Sequence, residues 1–210
     1  MRVVATVLGC VAGWGCVMIG RGYAIFDSAI GRCGIAWSHA GVLGVQLPEA
    51  REIDTRRRLY RLYPEARELV PPPNTEHAIE GIVATLRGQD ADFADVTLDM
   101  EGILPFNRRV YDHVRGIPRG ETRTCQDISS ELPATGALHS VAQAIAKNPF
   151  MIVVPCHRVL ETAGSHGDRM SPYGGTISKR HLLAIEGVRP SVGKTLFDAL
   201  LPVAPPRPHP

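Results

Sequence analysis

Apolar residues between positions 21 and 103 come first in short bursts and then at helical intervals. Ala24-Ile25-Phe26, Cys33–Trp37 and Val42–Leu47 are short apolar runs divided by Ser28, Gly31 and the Ser38–Gly41 stretch. Such runs, with turn residues between them, predict a three-stranded β-meander. Glu49 to Tyr63 is highly charged but sets Leu59, Leu62 and Tyr63 at helical spacing, which predicts a surface helix. Val70-Pro71-Pro72-Pro73 stops it, and Asn74 or Thr75 is placed to cap a second helix carrying Ile79, Ile82, Val83 and Leu86 up to Gly88. Phe93 to Leu98 alternates apolar with polar and predicts a last strand of this first unit, which ends at residue 103.

The second half changes period. Pro105 suits the first turn of a helix with Phe106, Val110, Tyr111 and Val114 on one face, ended by Ile117-Pro118-Arg119-Gly120. A short helix over 126–132, the turn Pro133-Ala134-Thr135-Gly136 and a helix over 137–147 follow. Two short helices about a tight turn have the shape of a helix-turn-helix. Asn148-Pro149 then leads into Phe150–Val154, an unbroken apolar run that reads as a buried strand, and on to Pro155-Cys156-His157-Arg158-Val159. The expected class is α+β. A small N-terminal β-sheet plus helix domain covers 21–103. A mainly helical domain with a helix-turn-helix and a strand and turn around Cys156 covers 104–188.

Both ends fall outside this plan. Val3 to Gly20 is eighteen residues without a charge between Arg2 and Arg21, long enough for a membrane or secretory segment. Four of the eighteen are glycine, one arginine precedes them and no small-x-small cleavage site follows. The run over 1–20 therefore reads as an extension outside the fold or a start placed too far upstream, with export as the alternative. Residues 189–210 form a proline-rich tail expected to stay disordered.

Composition adjusts this picture in three places. With 44 % hydrophobic and 21 % charged residues the 210-residue chain is globular, and with 6 % aromatics its core is mainly aliphatic. A net charge of +2 is too mild to point to a polyanion, but it does not exclude a local basic face. Cys10, Cys16, Cys33, Cys125 and Cys156 are odd in number and contain no C-x-x-C pair. That argues against a disulfide scaffold or a four-cysteine zinc site and fits a reduced compartment, the cytoplasm.

Cys156 carries the candidate chemistry. A thiol acts as a nucleophile only as thiolate, which a nearby base or cation favours, and His157 and Arg158 adjoin it. Read as a strand, however, the run would put neighbouring side chains on opposite faces, and a cysteine after a strand is commonly a small buried hydrophobe.

The longer pattern goes further. Asn148-Pro149, the apolar run, Pro155–Val159, Gly174-Gly175 with Lys179, and Leu182–Gly187 together resemble the methylated-DNA–protein-cysteine methyltransferase family, the alkylguanine-DNA alkyltransferases. Pro105-Phe106, Val110-Tyr111 and Ile117-Pro118-x-Gly120-Glu121-Thr122 resemble the entry to that family's active domain, so the likeness runs from Leu104 to about Gly187. The resemblance implies a single-turnover transfer of an alkyl group from the oxygen on carbon six of guanine, and also of alkylated thymine, to Cys156. His157 would draw off the thiol proton through a water and Glu186 would orient the imidazole. Asn148, Arg158, Tyr173 and Lys179 would support the site. The implied partner is double-stranded DNA containing alkylated guanine, bound by a monomer, with no cofactor, no metal and no membrane contact. Arg123, Cys125, Ala137 and His139 would meet the DNA.

Two departures bear on base extrusion. Cys125 stands where the family carries a Tyr that helps rotate the nucleotide, and His139 where it carries an Arg that fills the vacated space. Ser171-Pro172-Tyr173 also shifts an aromatic by one residue in the loop over the alkyl pocket. These changes leave a second reading, an alkylated-DNA sensor with impaired flipping. His139 has a plain alternative as an exposed helical histidine. Arg108, Arg109, Arg115, Arg119 and Arg123 could contact phosphates or form a solvated face, and Lys179 with Arg180 could face solvent.

Overall fold

The computed structural model describes residues 20–132, 137–160 and 179–188. The three N-terminal apolar runs form β1 (Gly22–Ser28), β2 (Gly31–Ser38) and β3 (Gly41–Gln46), an antiparallel meander in which Ile35, Trp37, Val42 and Val45 are buried. At the β2–β3 turn Gly41 has φ +138°, and a Cβ there would lie 2.5 Å from the Thr97 carbonyl oxygen, so only glycine fits. The charged segment folds as α1 (Glu52–Leu62), burying Thr55 and Leu59. A two-residue strand β4 (Arg67–Glu68) then pairs parallel with β1, giving the order β3-β2-β1-β4.

Helix α2 (Pro73–Leu86) starts one residue before the expected caps. Pro73 takes the first helical position, where its fixed φ is suitable and its missing N–H costs nothing. Asn74 instead turns its amide to Thr97, donating to the carbonyl (3.1 Å) and accepting from the N–H (2.8 Å). The strand expected over Phe93–Leu98 does not form. The Asp92 carboxylate accepts from Ala94 N–H and Val96 N–H bonds Phe93 O, so local bonds bend the segment. Only Leu98 bridges to Val42.

In the second half α3 (Pro105–Arg115) buries Val110, Tyr111 and Val114. Arg123–Thr124 (β5) pairs parallel with Val159–Leu160 (β6), and α4 (Cys125–Glu131) follows β5 directly. Thr124 and Asp127 close a reciprocal capping box at its start. Helices α5 (Ala137–Ala146) and α6 (Lys179–Ile185) follow. Tyr111 ties α3 to α5 by donating to Ala144 O (3.0 Å), and its ring stands edge-on to Phe150 at 6.0 Å. One cluster of buried apolar side chains runs from Cys33, Ile35 and Trp37 through Tyr111 to Phe150 and Val159, joining both halves.

Phe150–Val154 is buried as expected, but it is not a strand. Phe150 makes a single parallel bridge to Val45, Val154 N–H bonds back to Phe150 O (2.7 Å), and Ile152 has φ +73°. A β-branched residue in the left-handed region is rare and needs surroundings that hold it there.

Among the described residues no helix is long and apolar enough to cross a membrane. The run up to Ile19, the turn Pro133–Gly136, Tyr173, Gly174-Gly175 and the proline-rich tail lie outside the described residues.

Candidate active site

The bend before Cys156 is organised by one buried amide. Asn148, with no exposure, donates from Nδ2 to Val154 O (3.0 Å) and accepts from Phe150 N–H at Oδ1 (2.9 Å), so it spans the turn from both ends. The edge strand β3 holds the same segment from outside, with Val45 N–H donating to Pro149 O (2.8 Å). Pro155 then sits at φ −77°, ψ 63°, and Cys156 N–H bonds Val154 O (2.7 Å). That is an inverse γ-turn, for which proline presets φ. The chain leaves it as a 3₁₀ turn, Cys156–Arg158, so the alternation of a strand does not govern Cys156 and His157.

Cys156 is 4 % exposed, and its thiol points to the Met151 thioether (Sγ to Sδ 3.6 Å). Burial pushes the thiol pKa up, while Asn148 and then Lys179 pull it the other way. The resting group is therefore a neutral thiol. His157 is buried beside it in the chain and bonds through Nε2 to Glu186 Oε1 (2.8 Å). Glu186 is buried too and receives Arg158 Nε and Nη2 at 2.8–3.2 Å, while Arg158 Nη1 donates to Ile117 O (2.6 Å). Burial alone would raise the Glu186 carboxyl, but the hydrogen bonds from His157 and Arg158 outweigh it and hold the group at about 2. An ionised carboxylate only accepts, so the proton of the neutral imidazole is on Nε2 and Nδ1 carries the lone pair. Among the described residues, buried Nδ1 has no hydrogen-bond partner. Burial lowers the His157 pKa more than Glu186 raises it, so the ring is neutral. The site thus sets a buried neutral thiol one position before a buried neutral imidazole that is oriented by a fixed carboxylate.

Lys179 opens α6 and donates to Val159 O, so it braces the segment after the 3₁₀ turn instead of facing solvent. Cys125 is buried at the start of α4. Arg123 is exposed and 3.8 Å from Glu121, and His139 is exposed on α5 with Nε2 2.8 Å from Gln143 Nε2. Ala137 is the first residue of α5. The expected basic strip divides. Arg109 lies over the Phe106 ring, and Arg108 bonds Ile103 O. Arg115 donates to Phe93 O (2.5 Å) and Val96 O (3.2 Å), and Arg119 to Gly88 O and Ile185 O. Arg115 and Arg119 are clamps between segments, a role that a run of arginines read as a surface does not reveal. Met151 and Ile152 are likewise invisible as site residues inside an apolar run. Among the described residues no group of three or more His, Cys, Asp or Glu could hold a metal.

Residues 105–188 match the family described as 6-O-methylguanine DNA methyltransferase, DNA binding domain. The methylated-DNA–protein-cysteine methyltransferase of Mycobacterium tuberculosis is 35 % identical over 179 residues, covering 84 % of this chain and 98 % of that protein. The enzyme of the same name from Methanothermobacter thermautotrophicus is 34 % identical over 155 residues, 74 % of this chain and 79 % of its own. Among solved structures, M. tuberculosis O6-methylguanine methyltransferase superposes with a TM-score of 0.60 at 30 % identity, covering 81 % of this chain and 96 % of that one. M. tuberculosis OGT in complex with DNA gives 0.57 at 30 % identity, with 79 % and 92 % covered.

Proposed function

The chain belongs to the methylated-DNA–protein-cysteine methyltransferase family, and on that premise we propose that Cys156 takes a methyl group from the oxygen on carbon six of guanine in double-stranded DNA, once per molecule. The observation that carries this reading is that buried Cys156 precedes a buried His157 paired with buried Glu186, with a His157 Nδ1 that has no partner among the described residues. His157 Nδ1 takes the thiol proton through a water, and the Glu186 carboxylate stabilises the imidazolium that forms. The thiolate attacks the methyl carbon, a C–S bond forms as the O–C bond breaks, and the imidazolium returns its proton through water to the displaced guanine. A thioether offers no leaving group to a later step, so the cysteine is spent. Alkylated thymine presents a similar oxygen and is a second substrate on the same logic.

The thiol of a cysteine that is 4 % exposed cannot reach a base inside a duplex, so the base must leave the stack. The protein acts as a monomer, with α4 and α5 toward the DNA and the exposed His139 and Arg123 available to meet it. A second reading rests on Cys125 and His139 standing where the family has Tyr and Arg: a sensor that binds alkylated DNA and extrudes the base poorly. Free benzylated guanine and a duplex carrying methylated guanine separate the two. The proposal expects Cys156 to be alkylated by both. Reaction with the free base alone favours the sensor, and reaction with neither overturns the transfer to Cys156.

A further inference from the structure

We infer that Arg119 is a positioning residue for the Glu186 carboxylate, holding the end of α6 so that Glu186 keeps its bond to His157. The inference rests on the role given to His157 and Glu186 above.

Arg119 Nη2 donates to two carbonyls, Gly88 O (2.5 Å) and Ile185 O (3.4 Å). Gly88 lies just past α2, and Ile185 is the last residue of α6, immediately before Glu186. Helix C-termini leave carbonyls without partners and carry partial negative charge. One guanidinium therefore serves two helix ends at once. The close approach depends on Gly88, which has φ +78°. A Cβ there would sit 3.3 Å from Ile185 O.

The need for a cation at this place is specific. Glu186 puts a full negative charge at the C-terminal end of α6, where the helix dipole opposes it. Arg158 answers from one side, with Nε and Nη2 on the carboxylate and Nη1 on Ile117 O. Arg119, two residues beyond Ile117, answers from the other by gripping the residue before Glu186. The turn at 117–119 thus both anchors Arg158 and pins Ile185, and Gly88 ties that turn to α2. Arg119 acts on a backbone carbonyl and not on the thiol or the imidazole, so its effect on the chemistry passes through Glu186. The charged groups acting on His157 are Glu186, Arg158 and Lys179. A displaced Glu186 removes the one that raises its basicity.

The test uses the full-length protein and its Arg119→Lys and Arg119→Ala variants, with free benzylated guanine as the probe. Alkylation of Cys156 is followed from about pH 5 to 9, and the His157 Nε2–H proton is followed by NMR. Arg119→Ala is expected to react about tenfold more slowly at neutral pH, with the rising limb of the rate profile moved to lower pH, because a less basic His157 becomes neutral at lower pH. Its Nε2–H resonance is expected to move upfield or broaden. Arg119→Lys, which keeps a charged donor, restores most of the rate. If Arg119→Ala does not fold, Arg119→Gln is read in the same way. A variant with wild-type rate, profile and imidazole resonance overturns the inference. No alkylation of the wild-type protein overturns the functional reading instead, and in that case an unchanged Nε2–H signal in Arg119→Ala still overturns the inference.

Discussion

Asn148→Ala is expected to lower the free energy of unfolding by about 3 kcal/mol and to slow alkylation of Cys156. The Asn148 bonds to Phe150 N–H and Val154 O are buried, so their loss is not made good by bulk water. Phe150 N–H would be left without its acceptor, and an unsatisfied buried donor costs about 1–3 kcal/mol by itself. Val154 O keeps the Cys156 N–H but loses Nδ2. Ile152, held at φ +73° by this turn, would be free to relax and carry the chain before Cys156 with it. The chemical effect has a separate cause, because Asn148 is among the groups that lower the Cys156 pKa. Without it the thiol stays protonated to higher pH. Asn148→Asp keeps an acceptor for Phe150 N–H but loses the donor to Val154 O, and is expected to fall between. Denaturant unfolding checks the first part and the pH dependence of alkylation the second. A loss below about 1 kcal/mol would show that the turn is held by packing alone.

Glu186→Gln is expected to cost about 3 kcal/mol and about a hundredfold in alkylation rate. The Arg158 side chain is only 13 % exposed, and neutralising its partner leaves a largely buried cation with the Ile117 carbonyl in place of a carboxylate. The imidazole keeps an acceptor for Nε2–H, but the charge that stabilises the imidazolium is gone. The pH dependence has a definite sign. Glu186 titrates near 4.5 when unperturbed and at about 2 when folded, so its contribution is complete above 4.5. As pH falls through the window from 4.5 to about 2 the unfolded chain takes up the proton first, and about 3 kcal/mol is lost. Wild-type and Glu186→Gln unfolding curves should therefore differ most above pH 4.5 and converge toward pH 2. A constant difference across that window would mean that the carboxylate is not held by His157 and Arg158 as described.

The elements legible in the sequence are those whose pattern and punctuation agree. Gly31 and Gly41 close the hairpins around apolar runs, and Pro105 opens a helix whose apolar face recurs at the right period. Legibility fails where a side chain captures the backbone. Phe150–Val154 has the composition of a buried strand, and nothing in five apolar residues shows that the amide of Asn148 folds them into a turn. Phe93–Leu98 alternates like a strand, yet Asp92 bends its start. Arg115 and Arg119 reach carbonyls as distant in sequence as Ile185, and no local pattern encodes a contact of that separation. Within the site, Cys156 and His157 are visible as chemistry, but a strand would point them apart. The 3₁₀ turn removes that objection. The pairing of His157 with Glu186, twenty-nine residues on, is legible only through the family resemblance, since spacing alone does not pair them.

The central claim is that Cys156 is the methyl acceptor, activated by His157 and Glu186. Its most direct test is peptide mass spectrometry of the folded protein after incubation with a duplex carrying methylated guanine. A single added methyl group is expected on the peptide containing Cys156, in an amount that stops at one per protein molecule. None is expected on Cys33 or Cys125, which are buried and, unlike Cys156, are not followed by a histidine. An unmodified Cys156 after complete exposure of the folded protein, or methylation at another cysteine in its place, would contradict it.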